Sequence, residues 1–237
     1  MNFVHRLLGF NSSRYRLERE NAAFAALMPP DALILDAGAG AAPYRDLFRH
    51  TRYESADFEK ADKTYGNTTY VCDLRNIPVE DGRFDFVVFN QTMEHVPEPK
   101  LVLRELWRVL KPGGLMIYTG PFFYEEHEQP YDFYRYTQFG LRYLFKETGF
   151  EVKRLDWLEG YFSTVAYQLN CAGRYLPSTP RSVSDGIAGY ALAPLVLGLR
   201  VMFLACSLLF HKLETTKKVT VSGYPKNYVA ILARPAI

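Results

Sequence analysis

The sequence predicts an α/β fold built on a mostly parallel sheet. Three observations carry this: short apolar runs alternating with helically spaced segments, a glycine-rich turn behind the first run, and acids behind the next two. From Arg14 to Leu27 apolar residues recur at helical spacing and Pro29-Pro30 closes the pattern, so a helix precedes the first strand, Leu33-Ile34-Leu35. Further strands are expected near Tyr53 to Asp57, near Thr69 to Cys72, and at Phe84 to Phe89, an apolar run broken only by Asp85. Continuous runs of this kind suit parallel strands covered on both faces. Lys100 to Leu110 has helical periodicity, Lys111-Pro112-Gly113-Gly114 stops it, and Leu115 to Thr119 makes a fifth strand. Thr137 to Thr148 reads as another helix ended by Gly149, with strands following at Phe150 to Trp157 and Tyr228 to Leu232.

The last two strands are roughly seventy residues apart, far more than an ordinary connection needs. The chain is therefore expected to form one domain, residues 1–237, with a helical insertion at 158–225. The insertion holds helix-like aromatic sequence from Tyr161 to Tyr175, a Pro/Ser-rich break from Pro177 to Ser184 and an apolar run from Ile187 to Phe210.

The net charge of +2 gives no reason to expect a nucleic-acid partner. Cys72, Cys171 and Cys206 lack CxxC spacing, which argues against a zinc cluster or a disulfide framework and fits a reducing cytoplasm. The first ten residues are too weakly apolar for a secretory signal. Aromatics, 15% of the chain, concentrate at Pro121 to Tyr143 and Tyr161 to Tyr175, where they are candidates for a pocket wall.

The strongest local signal is Leu35-Asp36-Ala37-Gly38-Ala39-Gly40-Ala41-Ala42-Pro43-Tyr44. A glycine-rich turn behind a strand lets backbone approach a ligand and aims a helix N-terminus at it. Asp57 closes the second strand, where a carboxylate can accept from both hydroxyls of a ribose. Asp73 follows the third strand, placed to accept from an adenine amino group while Leu74 covers the ring, and Asn90-Gln91 ends the fourth.

In order and spacing, DAGAG, YESADF, CDLRNIP, FDFVVFNQTMEHVPEP and LWRVLKPGGLMIYTGPF resemble the class I S-adenosylmethionine-dependent methyltransferases, in the type 11-like branch acting on small molecules, lipids and glycans. The resemblance covers about Leu33 to Phe150. It implies a Rossmann-like sheet of seven strands, the last antiparallel, and S-adenosyl-L-methionine as cofactor. It also implies that Asp36, Gly38 and Gly40 surround the cofactor's amino-acid part, Asp57 and Phe58 its ribose, Asp73 and Leu74 its adenine, and that Asn90 lies near the sulfonium. Ala42 departs from the family's third glycine. A nicotinamide-dependent oxidoreductase and a non-catalytic scaffold are the alternative readings; the missing glycine and the Leu-Lys-Pro-Gly-Gly turn speak against the first, the intact acids against the second.

A hydroxyl acceptor would need a base. His127 is the first candidate and His95 the second; Tyr131, Asp132 and Arg135 share the loop of His127 and are expected to orient the acceptor. Glu94-His95 resembles part of a divalent-metal site in some quinone-type O-methyltransferases of this family, but Gln91 replaces the third ligand, so no metal is expected. The acceptor is expected to be a hydroxyl of a small-molecule, sugar or lipid-linked compound. In the insertion, Pro194 and Arg200 argue against a bilayer span, since a mid-span arginine costs about 2.5–3.5 kcal/mol. A flat-lying helix with Leu195, Leu199, Met202 and Phe203 on one side is expected instead: a cap over the crevice, a homodimer contact or a peripheral membrane patch on a cytoplasmic protein.

Overall fold

The structure, a computed structural model, describes residues 12–236. They divide into two compact units, one holding Ser13–Leu158 with the segment from Asn227 on, the other Glu159–Lys226.

The first unit is a seven-stranded sheet: β1 (Leu33–Ala37), β2 (Arg52–Asp57), β3 (Tyr70–Val71), β4 (Phe84–Asn90), β5 (Leu110–Pro121), β6 (Glu151–Trp157) and β7 (Asn227–Ala233), in the order β3-β2-β1-β4-β5-β7-β6. Strand β7 runs antiparallel between β5 and β6, and the remaining neighbours are parallel. This is the Rossmann-like architecture that the resemblance implies. Helices α1 (Ser12–Ala25), α2 (Pro99–Val109) and α3 (Gln138–Glu147) cover it.

Successive residues of a strand point to opposite faces, and here both faces are buried. Leu33, Leu35, Val87, Phe89, Met116 and Tyr118 pack with Leu103 and Leu106 of α2 and with Phe145 of α3. Ile34, Val88, Ile117 and Val229 pack on the other side with Leu17 and Phe24 of α1. Leu103 and Leu106 are fully buried, worth about 1.5–3 kcal/mol each relative to exposure. Asp85 sits in this apolar run because its carboxylate accepts from the Leu33 amide at 2.9 Å and pairs with Lys111 at 2.6 Å.

Strand and helix alternate less regularly than the sequence suggests. Helices α2 and α3 cross from β4 to β5 and from β5 to β6, but one 3-10 turn, Arg45–Phe48, lies between β1 and β2, and no α-helix lies between β2 and β4. The loop before β4 is held instead by α2: Arg108 donates to the Ile77 and Val79 carbonyls at 3.0 and 2.9 Å, and Glu105 accepts from the Ile77 amide at 2.7 Å. Those bonds satisfy backbone groups that a helix would have satisfied internally. The expected turn at Lys111-Pro112-Gly113-Gly114 also differs. Pairing of Phe84 with Leu110 and of Phe86 with Leu115 makes these four residues a bulge within β5, with Gly113 at φ 79°.

Ala42, at the family's third glycine, takes φ 50°. A left-handed backbone costs an L-residue about 1–2 kcal/mol, and glycine avoids most of it. Ala42→Gly should therefore stabilise the fold by about 1 kcal/mol, read as a raised midpoint in urea or thermal unfolding. An unchanged or lowered midpoint would show that the strain is relieved elsewhere.

Candidate active site

The carboxyl ends of β1, β2, β4 and β5 feed loops that converge on one edge of the sheet. Behind β1, the Gly38 amide donates to the Ala56 carbonyl at 2.7 Å and the Gly40 amide to Asp57 Oδ2 at 2.8 Å, so the glycine turn is latched to the end of β2. Asp57 is buried, and its other oxygen accepts from the Glu59 amide at 3.1 Å. Gly38, at φ 74°, admits no side chain: a Cβ would lie 2.2 Å from Thr92 Cγ2. Asp36 is also buried and accepts from the Tyr53 hydroxyl at 2.5 Å; burial raises its pKa to about 6, against the lowering effect of Tyr53.

Beside this turn lies a cleft of about 240 Å³ lined by Gly38, Phe58, Leu74, Thr92, His95 and Tyr131, with Lys60, Asp73 and Arg75 as its charged groups. Of the expected cofactor residues, Gly38, Phe58, Asp73 and Leu74 stand on its wall, while Asp36, Gly40 and Asp57 support the turn that forms it. Asp73 is turned toward Arg75, whose guanidinium lies 2.6 Å away and holds the carboxyl below its ordinary value. Both side chains are substantially exposed, so this pair costs little to break. Asn90 does not face the cleft. Its carboxamide donates to Asn21 at 2.7 Å and accepts from Thr119 at 2.8 Å, tying β4 to α1 and β5. Thr92, two residues further on, faces the cleft instead. Nothing in the sequence separated the two, because the backbone reverses between them at Gln91, φ 49°.

The loop after β5 docks on the loop after β4. The Phe133 amide donates to the Glu94 carbonyl at 2.8 Å, and His95 Nδ1 lies 2.6 Å from the Tyr131 carbonyl. A carbonyl only accepts, so Nδ1 carries the proton and the Nε2 lone pair is open. Nε2 lies 3.8 Å from Glu94 Oε1. Burial lowers the pKa of His95, keeping the ring neutral. Glu94 is fully buried, and neither carboxylate oxygen has a hydrogen-bond partner from another residue. Burial raises its pKa to about 8.

His127 packs edge-on against His95, ring centroids 4.7 Å apart. The two candidate bases are thus neighbours, and only His95 lines the cleft. Asp132 and Arg135 form a bidentate pair at 2.6 and 2.8 Å, and Asp132 also accepts from the His127 amide at 2.9 Å. These bonds fold the loop; of the three residues expected to meet the acceptor, Tyr131 alone is on the wall. One ligand atom each from Glu94, His95 and His127 lies within 4.8 Å of the others, so the third donor beside Glu94 and His95 comes from a different loop, which sequence spacing did not show.

The turn, the acids and the cleft at the carboxyl edge fit S-adenosyl-L-methionine: Gly38 gives backbone access, Leu74 and Phe58 give apolar cover, and Asp57 retains free lone pairs for ribose hydroxyls. Fold and site together resemble those of a methyltransferase domain that binds this cofactor. A family model described as "Methyltransferase domain" matches residues 35–118, the part of the chain that carries the glycine turn and the acids.

A tRNA (carboxymethyluridine(34)-5-O)-methyltransferase of Arabidopsis thaliana is 29% identical over 129 residues, 49% of this chain and 32% of that protein. The chain thus spans about a third of that relative's length. Phosphoethanolamine N-methyltransferase 2 of Haemonchus contortus, solved with S-adenosyl-L-methionine, shares the fold at TM-score 0.54 and 15% identity, covering 92% of this chain and 52% of its own. The structure described as the [4+2]-cyclase SpnF superposes at TM-score 0.55 and 18% identity, covering 92% and 81%.

Because an ionised Glu94 has no partner, the folded chain keeps its proton up to about pH 8, while an ordinary glutamate releases it near 4.5. Between those values unfolding releases a proton, so stability falls as pH rises, by at most about 1.4 kcal/mol per pH unit from this group. Glu94→Gln should flatten that fall, as read by urea unfolding in chelator from about pH 5 to about pH 8. An unchanged slope would mean that Glu94 is ionised in the fold.

Proposed function

We propose that the protein transfers the methyl group of S-adenosyl-L-methionine to a hydroxyl of a small-molecule, sugar or lipid-linked acceptor, with His95 as the base. The observation that carries this reading is the open Nε2 of a neutral His95 on the cleft wall, its tautomer fixed by the Tyr131 carbonyl. The bound cofactor supplies a methyl group on a good leaving system, so the protein's work is alignment, exclusion of water and removal of one proton. Phe58 and Tyr131, in edge contact at 5.3 Å, form the apolar wall that excludes water. His95 takes the acceptor's proton at Nε2 while Nδ1–H stays on the Tyr131 carbonyl, and His127 holds the ring in place. This order reverses the ranking expected from sequence, where His127 led. The chain's small net charge supports a small acceptor, although one relative's name specifies tRNA.

Two measurements test the reading. Calorimetric titration with S-adenosyl-L-methionine should show binding that Asp57→Asn weakens, whereas no binding to the intact chain overturns the cofactor. With the acceptor identified by labelled methyl transfer into lysate, His95→Ala should lower kcat about 100-fold and leave cofactor affinity within about threefold. Since the neutral ring is the active form, turnover should persist below the ordinary histidine value, near 6.5, and fall at lower pH as His95 is protonated. Full turnover by His95→Ala ends its role as base.

A second reading is favoured by one observation, the three convergent donors. Glu94, His95 and His127 present one oxygen and two nitrogens, a set suited to a transition-metal dication more than to magnesium. Activity lost on chelation and restored by manganese or zinc supports that reading, and activity indifferent to chelation supports the base.

A further inference from the structure

The second unit carries an unpartnered apolar surface that neither the cofactor nor the cleft accounts for. It consists of α4 (Tyr161–Tyr175), the short α5 (Pro180–Val183) and the long α6 (Gly186–Thr216). Helices α4 and α6 run antiparallel. Glu214 accepts from the Gly160 amide at 2.7 Å at one end, Ser207 donates to the Ala166 carbonyl at 2.7 Å along the contact, and Arg200 donates to the Leu176 carbonyl at 3.2 Å at the other. Gly173 lets the helices approach, since a Cβ there would lie 3.1 Å from Leu204.

Helix α6 is 31 residues long, and only 6% of its most apolar stretch is buried. Ile187, Leu195, Leu197, Val201 and Leu209 are more than half exposed. At 100° per residue, its exposed apolar positions cover about 220° of the circumference. Arg200 is the only charged residue from Gly186 to Phe210, and it is turned to the C-terminus of α4, where a cation caps open carbonyls. Charge gathers beyond the two ends of this stretch: Arg181 at one, Lys212, Lys217 and Lys218 at the other. Two of the unit's three acids, Glu159 and Glu214, are buried. Tyr190, exposed, stands near the first end.

We propose that α6 is inserted in a lipid bilayer, its outward faces against acyl chains and its basic ends among anionic headgroups. The breadth of the apolar arc selects this occupant. A helix laid on a second protein needs an apolar stripe of roughly 100°, and one lying on a membrane surface keeps a polar side toward water. An apolar surface over more than half the circumference is met by a fluid that conforms to every side. Length agrees, since the residues from Ile187 to Leu209 rise about 35 Å against a hydrocarbon core of about 30 Å. So does the position of the charges, because lysine and arginine at the ends of an apolar stretch reach phosphate while tyrosine favours the interface. The flat, one-sided helix expected from sequence is revised accordingly. The arginine that argued against insertion is turned to a neighbouring helix end, away from the outward face.

The inference rests on the helical unit alone and is independent of the methyl acceptor. The full chain should float with vesicles of phosphatidylcholine and phosphatidylglycerol and resist alkaline carbonate when expressed in cells. The combined substitution Leu195→Asp, Val201→Asp and Leu209→Asp should abolish flotation with thermal unfolding of the sheet unit retained. If that protein does not fold, the milder set Leu195→Ser, Val201→Ser and Leu209→Ser should lower the floated fraction at least severalfold. Release by carbonate overturns insertion. A chain that stays soluble without vesicles overturns it as well, whether as a monomer or as a dimer that the substitutions dissociate.

Discussion

Everything at the working edge of the sheet depends on what becomes of backbone amides where parallel strands end. A parallel strand delivers its chain to a buried edge with its last amides unpaired, and each orphan costs free energy comparable to a lost hydrogen bond. Here the amides of the first turn find partners on β2: Gly38 and Ala39 donate to the Ala56 carbonyl, and Gly40 donates to the Asp57 carboxylate. Asp57 therefore holds the turn open before any ligand arrives. Its charge is compensated by two amides, leaving lone pairs for further donors. That is why an acid in this position serves as both architecture and recognition, and why removing it would disturb the turn as well as the contact. Asn, which keeps one of the two acceptor oxygens, disturbs the turn less than Ala does.

Backbone strain accumulates around the same edge. Ala42, Glu59, Gln91 and Glu128 all take positive φ without being glycine, and they lie in the loops after β1, β2, β4 and β5. Each costs on the order of 1–3 kcal/mol and persists only where surrounding structure over-determines it. The rigid element is the sheet beneath, where Leu35, Val87 and Phe89 are fully buried. Lys63, paired with Glu128 at 2.7 Å, fastens the loop after β2 to the loop after β5. The solvent-shielded Glu94 and the Gln91 amide nitrogen, both without hydrogen-bond partners, belong to the same edge. Stability is spent there on geometry, as a site that aligns two reactants requires.

The strands were legible because burial on both faces writes a continuous apolar run, and the order of motifs along them was legible because each follows a strand end. What one loop does to another was not. Asp132 and Arg135 sit three apart and look like two reaching groups, but they are satisfied by each other. His95 and His127 come from different loops, and the docking of Phe133 on the Glu94 carbonyl and of His95 on the Tyr131 carbonyl brings their rings together. Lys111-Pro112-Gly113-Gly114 carries every sign of a turn, yet pairing on both sides holds it inside a strand. Side-chain partners also replace helices that alternation predicted, as Arg108 and Glu105 do for the loop before β4. These outcomes depend on tertiary hydrogen bonding, which periodicity does not encode.

Fold alone does not decide chemistry, and the superposition on a protein described as a [4+2]-cyclase makes the point within this architecture. The discriminating features must lie where this chain departs from a bare cofactor-binding sheet. One is the buried acid beside two histidines, an arrangement that binding a nucleotide-like cofactor does not need and that carries a desolvation penalty for its presence. The other is the helical unit, whose polar atoms are turned inward, Glu214 to a backbone amide and Arg200 to a backbone carbonyl, while its apolar side chains are left outside. That inversion is the reverse of what water selects.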